Sequence, residues 1–230
     1  MRVTSAFARA ATVALLVGAP ALGHAQTISN LGSFNAAQSI EPFGAPATAT
    51  YGQTFTAPAA YLYDFSFWLR NYDNGGALRF NAYIGFWNGN NVVGSPLWSG
   101  GPFAGTNSAT PLQYQFNTGG IAVVPSQQYL AFLNASAFIV ANPNALDFLR
   151  FSTAPAASLA GGFEYLNNNS NFAAINSPSG WNTGGDFGKD LIFVANFSPN
   201  GPSLIPEPAT MTLMATGLVG LMAARRRKKR

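Results

Sequence analysis

The chain has 230 residues, of which 48% are hydrophobic and only 9% charged, with no cysteine and a single histidine, His24. Thiol nucleophiles and Cys-ligated zinc are therefore excluded, and because His24 lies in a segment expected to be removed, so are Ser/His/Asp triads and HExxH zinc sites in the mature protein. The formal charge of +4 belongs to the two ends: between Gln26 and Ile205 four bases (Arg70, Arg79, Arg150, Lys189) stand against seven acids (Glu41, Asp64, Asp73, Asp147, Glu164, Asp186, Asp190), a net of −3. The core thus lacks the electrostatic term that nucleic-acid binding requires.

Residues 1–25 read as a secretory signal peptide. Arg2 and Arg9 form a basic start, Ala10 to Gly18 is an apolar run too short to span a bilayer, and Gly23 and Ala25 place small residues before a cut between Ala25 and Gln26. An amphipathic first helix would need a polar face, and Ala10 to Gly18 offers only Thr12 for one.

From 26 to 198 the dominant pattern is period-two alternation between clusters of Gly, Asn, Pro and Ser. Tyr61 to Arg70 places Tyr61, Tyr63, Phe65, Phe67 and Leu69 on one face with Asp64, Ser66 and Arg70 opposite, and Leu78 to Trp87 places Leu78, Phe80, Ala82, Ile84 and Phe86 against Arg79, Asn81 and Tyr83. Shorter strands are predicted at Tyr51–Thr56, Leu112–Phe116, Ile121–Val124, Tyr129–Leu133, Leu146–Phe151, Phe163–Leu166 and Leu191–Phe197. About nine such strands with no helical pattern predict an all-β extracellular domain, an antiparallel β-sandwich or jelly roll. That length buries an ample core without disulfide or metal staples.

Residues 199–204, with Pro199, Gly201 and Pro202, read as a linker, and 205–230 form a tripartite end. Pro206, Glu207 and Pro208 hold the chain extended, since proline fixes φ and turns its predecessor away from helix. Ala209 to Ala224 is uncharged and makes a single hydrophobic helix of about 24 Å, marginally enough to cross a hydrocarbon core. Arg225, Arg226, Arg227, Lys228, Lys229 and Arg230 then form a basic membrane-stop cluster, which the positive-inside bias keeps cytoplasmic.

In order, spacing and terminal position this end resembles the PEP-CTERM sorting signal. The resemblance implies an exosortase-type membrane enzyme that recognises Pro206, Glu207 and Pro208 and removes the tail. It further implies a core delivered to the cell envelope, the surface or the extracellular polysaccharide, with the helix as a transient anchor. An ordinary C-terminal anchor would want about 20 apolar residues and no Pro-Glu-Pro. Tyr51 to Pro58 and the aromatic strand through Phe65-Ser-Phe-Trp68 also resemble the opening of secreted β-sandwich modules carrying such a tail. This implies an architecture like that of carbohydrate-binding modules and transfers no binding residue.

The core offers three kinds of candidate site. Glycoside hydrolysis needs two carboxyl groups facing each other across a cleft, and none of the acids falls in a recognisable paired motif. Trp181-Asn-Thr-Gly-Gly-Asp-Phe-Gly-Lys-Asp190 supplies oxygen ligands, so Asp186 and Asp190 are calcium candidates, but the D-x-[DN]-x-[DN]-G loop is missing and a Gly-rich turn explains the segment better. Trp87, beside Asn88-Gly-Asn-Asn91, and Trp181, in a Gly/Asn loop, are the least core-like aromatics and the candidates for stacking on sugar rings. The expectation is an exported, non-enzymatic surface or matrix protein without a cofactor, associated with polysaccharide; a secreted glycan-active hydrolase using paired carboxylates is the alternative.

Overall fold

The computed structural model describes residues 24–44, 48–71, 78–139, 148–155, 158–183 and 189–202. In chain order the strands are β1 (Gln26–Ser29), β2 (Ser39–Gly44), β3 (Thr50–Thr56), β4 (Tyr61–Arg70), β5 (Arg79–Trp87), β6 (Val92–Ala104), β7 (Leu112–Ala122), β8 (Gln128–Asn134), β9 (Phe148–Pro155), β10 (Phe163–Leu166), β11 (Trp181–Thr183), β12 (Lys189–Leu191) and β13 (Phe193–Ser198). Short 3-10 turns occupy Leu31–Ser33 and Phe172–Asn176, and no α-helix occurs among the described residues. One sheet runs β1-β13-β4-β9-β12, with β2 on β9 and β7 on β4; the other runs β11-β10-β3-β8-β5-β6. All these pairings are antiparallel, so the chain is an antiparallel β-sandwich.

Phenylalanine fills the space between the sheets. Phe43, Phe55, Phe65, Phe67, Phe80, Phe116, Phe151, Phe163, Phe193 and Phe197 are all fully buried. They meet across the two layers: Phe55 lies 5.6 Å from Phe193, Phe43 5.8 Å from Phe80, and Tyr51 5.5 Å from Phe151 between ring centroids. Each such ring contributes roughly 1.5–3 kcal/mol by leaving water, which explains how so uncharged a chain folds without a covalent staple.

Several strands depart from the sequence reading for identifiable reasons. In β4 the register shifts between Leu62 and Asp64. This bulge puts Leu62, not Tyr61 or Tyr63, in the core with Phe65, Phe67 and Leu69, while both tyrosines keep partial exposure. The long β6 is not among the predicted strands; it contains Pro96 and Pro102, and as the edge strand of its sheet it tolerates residues without an N–H donor. The last run divides at Ile192, whose N–H donates to Ser152 O at 2.9 Å. There the chain leaves β9 and joins β4. Asn30 fixes the crossing: its Nδ2 donates to Leu191 O at 2.8 Å and its Oδ1 accepts from Phe193 N at 2.9 Å.

Candidate functional site

The two outer faces of the sandwich differ in what covers them. On the six-stranded sheet, one cross-strand row runs Glu164, Gly52, Phe132, Tyr83. Directly opposed residues share a face, so all four positions point away from the central core. Tyr83 and Phe132 stack at 5.0 Å with planes 16° apart, and Phe172 from the 3-10 turn lies 5.0 Å from Tyr83. Trp181 stands edge-on to Phe132 at 6.4 Å, and its Nε1 donates to Ile175 O at 2.9 Å. The turn and β11 thus seal a second apolar cluster built on Trp87, Val92, Leu130, Phe132, Leu166 and Ile175.

Both tryptophans expected to stack on ligand belong to this cluster. Trp87 is 3% exposed and Trp181 half-buried, so Trp87 presents no face to solvent. The loop Asn88-Gly-Asn-Asn91 is closed on itself, with Asn88 Oδ1 accepting from Asn90 N and Asn91 N at 2.9 and 3.0 Å.

Glu164 is the one strongly perturbed group among the described residues. It is 6% exposed, and its Oε2 has no hydrogen-bond partner among the described residues. Burial pushes the carboxyl up to about 8, so it is protonated and neutral at neutral pH. A neutral buried acid is what the hydrolase alternative requires of its proton donor, so its company matters.

Asp190 does not share its compartment. Gln53, opposite Phe163, points into the core and donates through Nε2 to Asp190 Oδ1 at 3.2 Å. Ser158 Oγ and Leu159 N donate to Oδ2 at 2.9 and 3.1 Å, and Gln53 Oε1 accepts from Leu191 N at 2.9 Å. Phe163 and Glu164 are consecutive on β10, so Asp190 and Glu164 lie on opposite sides of that sheet. Asp190 meets three donors, the environment of a satisfied structural carboxylate and not of a metal ligand; Asp186 lies outside the described residues. No group of three metal-ligating side chains occurs among the described residues. Asp64 is on the outside of the other sheet, accepting from Asn196 Nδ2 at 2.8 Å. Asp64, Glu164 and Asp190 therefore occupy three separate environments. Asp73 and Asp147 are outside the described residues.

On the outer face of the seven-stranded sheet β7 is the most open part, with Gln113, Gln115 and Asn117 exposed, while Asp64, Trp68, Val194 and Asn196 are half-buried and Ser66 is buried. Registered rows there run Thr27, Asn196, Asp64, Asn117 and then Ser29, Val194, Ser66, Gln115, with Trp68 opposite Gln113 in the next. The polar groups are tied together: Thr27 Oγ1 donates to Asn196 Oδ1 at 2.8 Å, and Gln113 Nε2 to Ser66 Oγ at 3.1 Å. Beyond Trp68 the next outward residue of β4, Arg70, is only 5% exposed and donates to Ala36 O at 2.7 Å and Ser39 Oγ at 2.5 Å. Sequence reasoning did not single out Trp68 because it sits in the middle of a strongly apolar strand.

The first and last described strands lie side by side in this sheet. Ala25 and Gln26 are exposed, and β1 begins at Gln26, paired with Phe197 near the end of β13. The start of the expected mature chain and the linker to the tail therefore leave the same end. Among the described residues no helix is long and apolar enough to cross a membrane. The expected helix at 209–224, Pro206, Glu207, Pro208 and the basic cluster Arg225–Arg230 lie outside the described residues.

An all-β sandwich carrying a terminal processing signal is the class of protein these observations define. Residues 204–228 match the PEP-CTERM protein-sorting motif. The chain is thus an exported, cell-surface protein whose tail is a substrate for exosortase, a membrane enzyme. No curated protein matches it. Among solved structures it is similar to the clostridial cysteine protease Cwp84 after propeptide cleavage, at 12% identity and a TM-score of 0.49 over 76% of this chain and 40% of that one. It is also similar to the cysteine protease and lectin-like domains of Cwp84, a surface layer associated protein of Clostridium difficile, at 13% identity and a TM-score of 0.44 over 67% and 33%. The chain spans less than half the length of either.

Proposed function

We propose that the core is a non-catalytic surface module associated with extracellular polysaccharide, exported by an N-terminal signal peptide cut between Ala25 and Gln26. The C-terminal helix holds it in the membrane until exosortase acts at Pro206, Glu207 and Pro208. The separation of Asp64, Glu164 and Asp190 into three environments carries the non-catalytic reading, because acid/base glycoside cleavage needs two carboxyls across one cleft. The test is fractionation and intact mass of the native protein against a variant with Pro206, Glu207 and Pro208 replaced by alanine, joined to a reducing-end assay on polysaccharide. A tail-free native core outside the cell, a full-length membrane-bound variant and no new reducing ends are expected. Tail retention by both proteins would refute the sorting step.

The second reading is a glycan-active hydrolase, and the raised carboxyl of Glu164 is the observation that favours it. Reducing ends released by the native protein and lost in Glu164→Gln would establish that reading in place of the first.

A further inference from the structure

We infer that the outer face of the seven-stranded sheet, centred on Trp68, is the surface that binds polysaccharide, and that its ligand is an uncharged glycan. This rests on the reading of the core as a polysaccharide-associated module and adds to it a site and a ligand chemistry.

Water-facing sheet surfaces are ordinarily kept soluble by interspersed lysine, arginine, glutamate and aspartate. Here the outward positions of β1, β13, β4 and β7 carry mainly amides and hydroxyls, with Val194, Trp68, one carboxylate and no exposed cation. Gln113, Gln115 and Asn117 are exposed in succession along β7, and Trp68 sits half-buried beside them. Trp68 points outward, while Phe65 and Phe67 of the same strand fill the core on the other side.

The polar groups of the face are also preorganised. Thr27, Asn196 and Asp64 form a hydrogen-bonded chain at 2.8 and 2.8 Å, which fixes the Asn196 amide. Amides are donors and acceptors at once, as sugar hydroxyls are, and a flat indole beside them covers the apolar face of a sugar ring. Strands about 4.8 Å apart and alternate residues about 6.6 Å apart make a grid of such groups on which an extended chain can lie.

Charge selects among glycans. Over β1, β13, β4 and β7 the face offers no exposed cation to a phosphate or uronate, because Arg70 is turned into Ala36 and Ser39; Arg150, opposite Arg70 on β9, lies over the Phe148 ring at the margin of the face, and Asp64 would repel an anion. A protein partner would want a larger apolar anchor than one half-buried tryptophan supplies.

Position also suits the role. Tyr63 Oη donates to Asn200 O at 3.2 Å, and Gly201 lies against the Tyr61 ring, so the linker leaves from the Tyr61 end of β4. Trp68 is seven residues further along β4, roughly 23 Å away at strand rise. On the six-stranded sheet the outward aromatics Tyr83 and Phe132 are instead packed with Phe172 of the 3-10 turn and with Trp181.

The experiment is native affinity electrophoresis of the exported protein in gels containing hydroxyethyl cellulose, galactomannan, dextran or the acidic polymer alginate. Trp68→Ala, Gln115→Ala and Trp181→Phe are run beside it, with thermal melts to verify folding. Retardation in at least one neutral gel is expected, weakened on the order of tenfold in Trp68→Ala and several-fold in Gln115→Ala, and retained in Trp181→Phe. Mobility unchanged in every neutral gel overturns the inference, as does equal retardation of folded Trp68→Ala or retardation by alginate alone. Fractionation and the reducing-end assay report on export and catalysis separately, so an exported, non-hydrolytic protein that fails in the gels refutes only this inference.

Discussion

Trp87 and Trp181, from the end of β5 and the start of β11, meet edge to face with ring centroids 5.2 Å apart and planes at 83°. Their contact joins the covering turn to the outside of the six-stranded sheet, so its role is packing. Trp87→Ala leaves a cavity under that cover and should cost about 3–5 kcal/mol. Trp181→Phe keeps most of the apolar area but loses the hydrogen bond to Ile175 O, about 1 kcal/mol. Urea denaturation of the two variants checks both values, and an unchanged midpoint for Trp87→Ala would contradict the burial of that ring.

The strands that could be read directly were those whose alternation is carried by large side chains: β4 and β10 begin and end where the pattern does. What stayed hidden needed a partner strand to define it. The bulge at Tyr63 is set by mispairing with β7 and β13 and has no residue signature of its own. Trp87 read as solvent-facing because its neighbours in sequence are Asn and Gly, while the residues that bury it come from Phe172 to Trp181. Likewise, seven acids spread along the core gave no hint that Glu164 and Asp190 fall on opposite sides of one sheet. Only the register of Phe163 with Gln53 reveals it.

Asp190 and Gln53 make a pair with fixed polarity. Gln53 must present its carbonyl to Leu191 N, which leaves its amide to donate to Asp190. Asparagine at 190 then brings its own NH2 against either the Gln53 amide or the Leu159 N–H, both donors. Asp190→Asn should therefore destabilise by about 1–3 kcal/mol, and adding Gln53→Glu, which supplies an acceptor on both oxygens, should recover part of that loss. A double variant no more stable than the single one in thermal melts would count against this arrangement.

Gly52 lets β3 and β8 approach closely under the outer cluster. A Cβ there would lie 2.6 Å from Ala131 O and 2.7 Å from Phe132 Cβ, atoms held by the sheet itself. Gly52→Ala should cost about 1–3 kcal/mol through overpacking. Gly32, where a Cβ would meet nothing within 4 Å, provides the comparison, and Gly32→Ala should be near neutral. Equal melting temperatures for the two variants would show that β3 and β8 can part to admit a methyl group at little cost.

Glu164 gives the fold a specific pH dependence. In the folded chain the carboxyl holds its proton up to about pH 8, whereas in the unfolded chain it ionises in the ordinary carboxylate range. Between those values the folded state binds more protons than the unfolded one, so stability falls as pH rises from about 4.5 to about 8 and levels off above. At about 1.4 kcal/mol per pH unit the slope is readily measured, and the total loss is on the order of a few kcal/mol. The window is clean: the only histidine is His24, outside the expected mature core, and no cysteine is present. Glu164→Gln keeps the shape and cannot ionise. It should match the native protein at pH 5 and exceed it increasingly toward pH 8. Parallel melting curves for the two proteins across that range would mean that the Glu164 carboxyl is solvated or paired, and the case for it as a buried neutral acid, structural or catalytic, would fall.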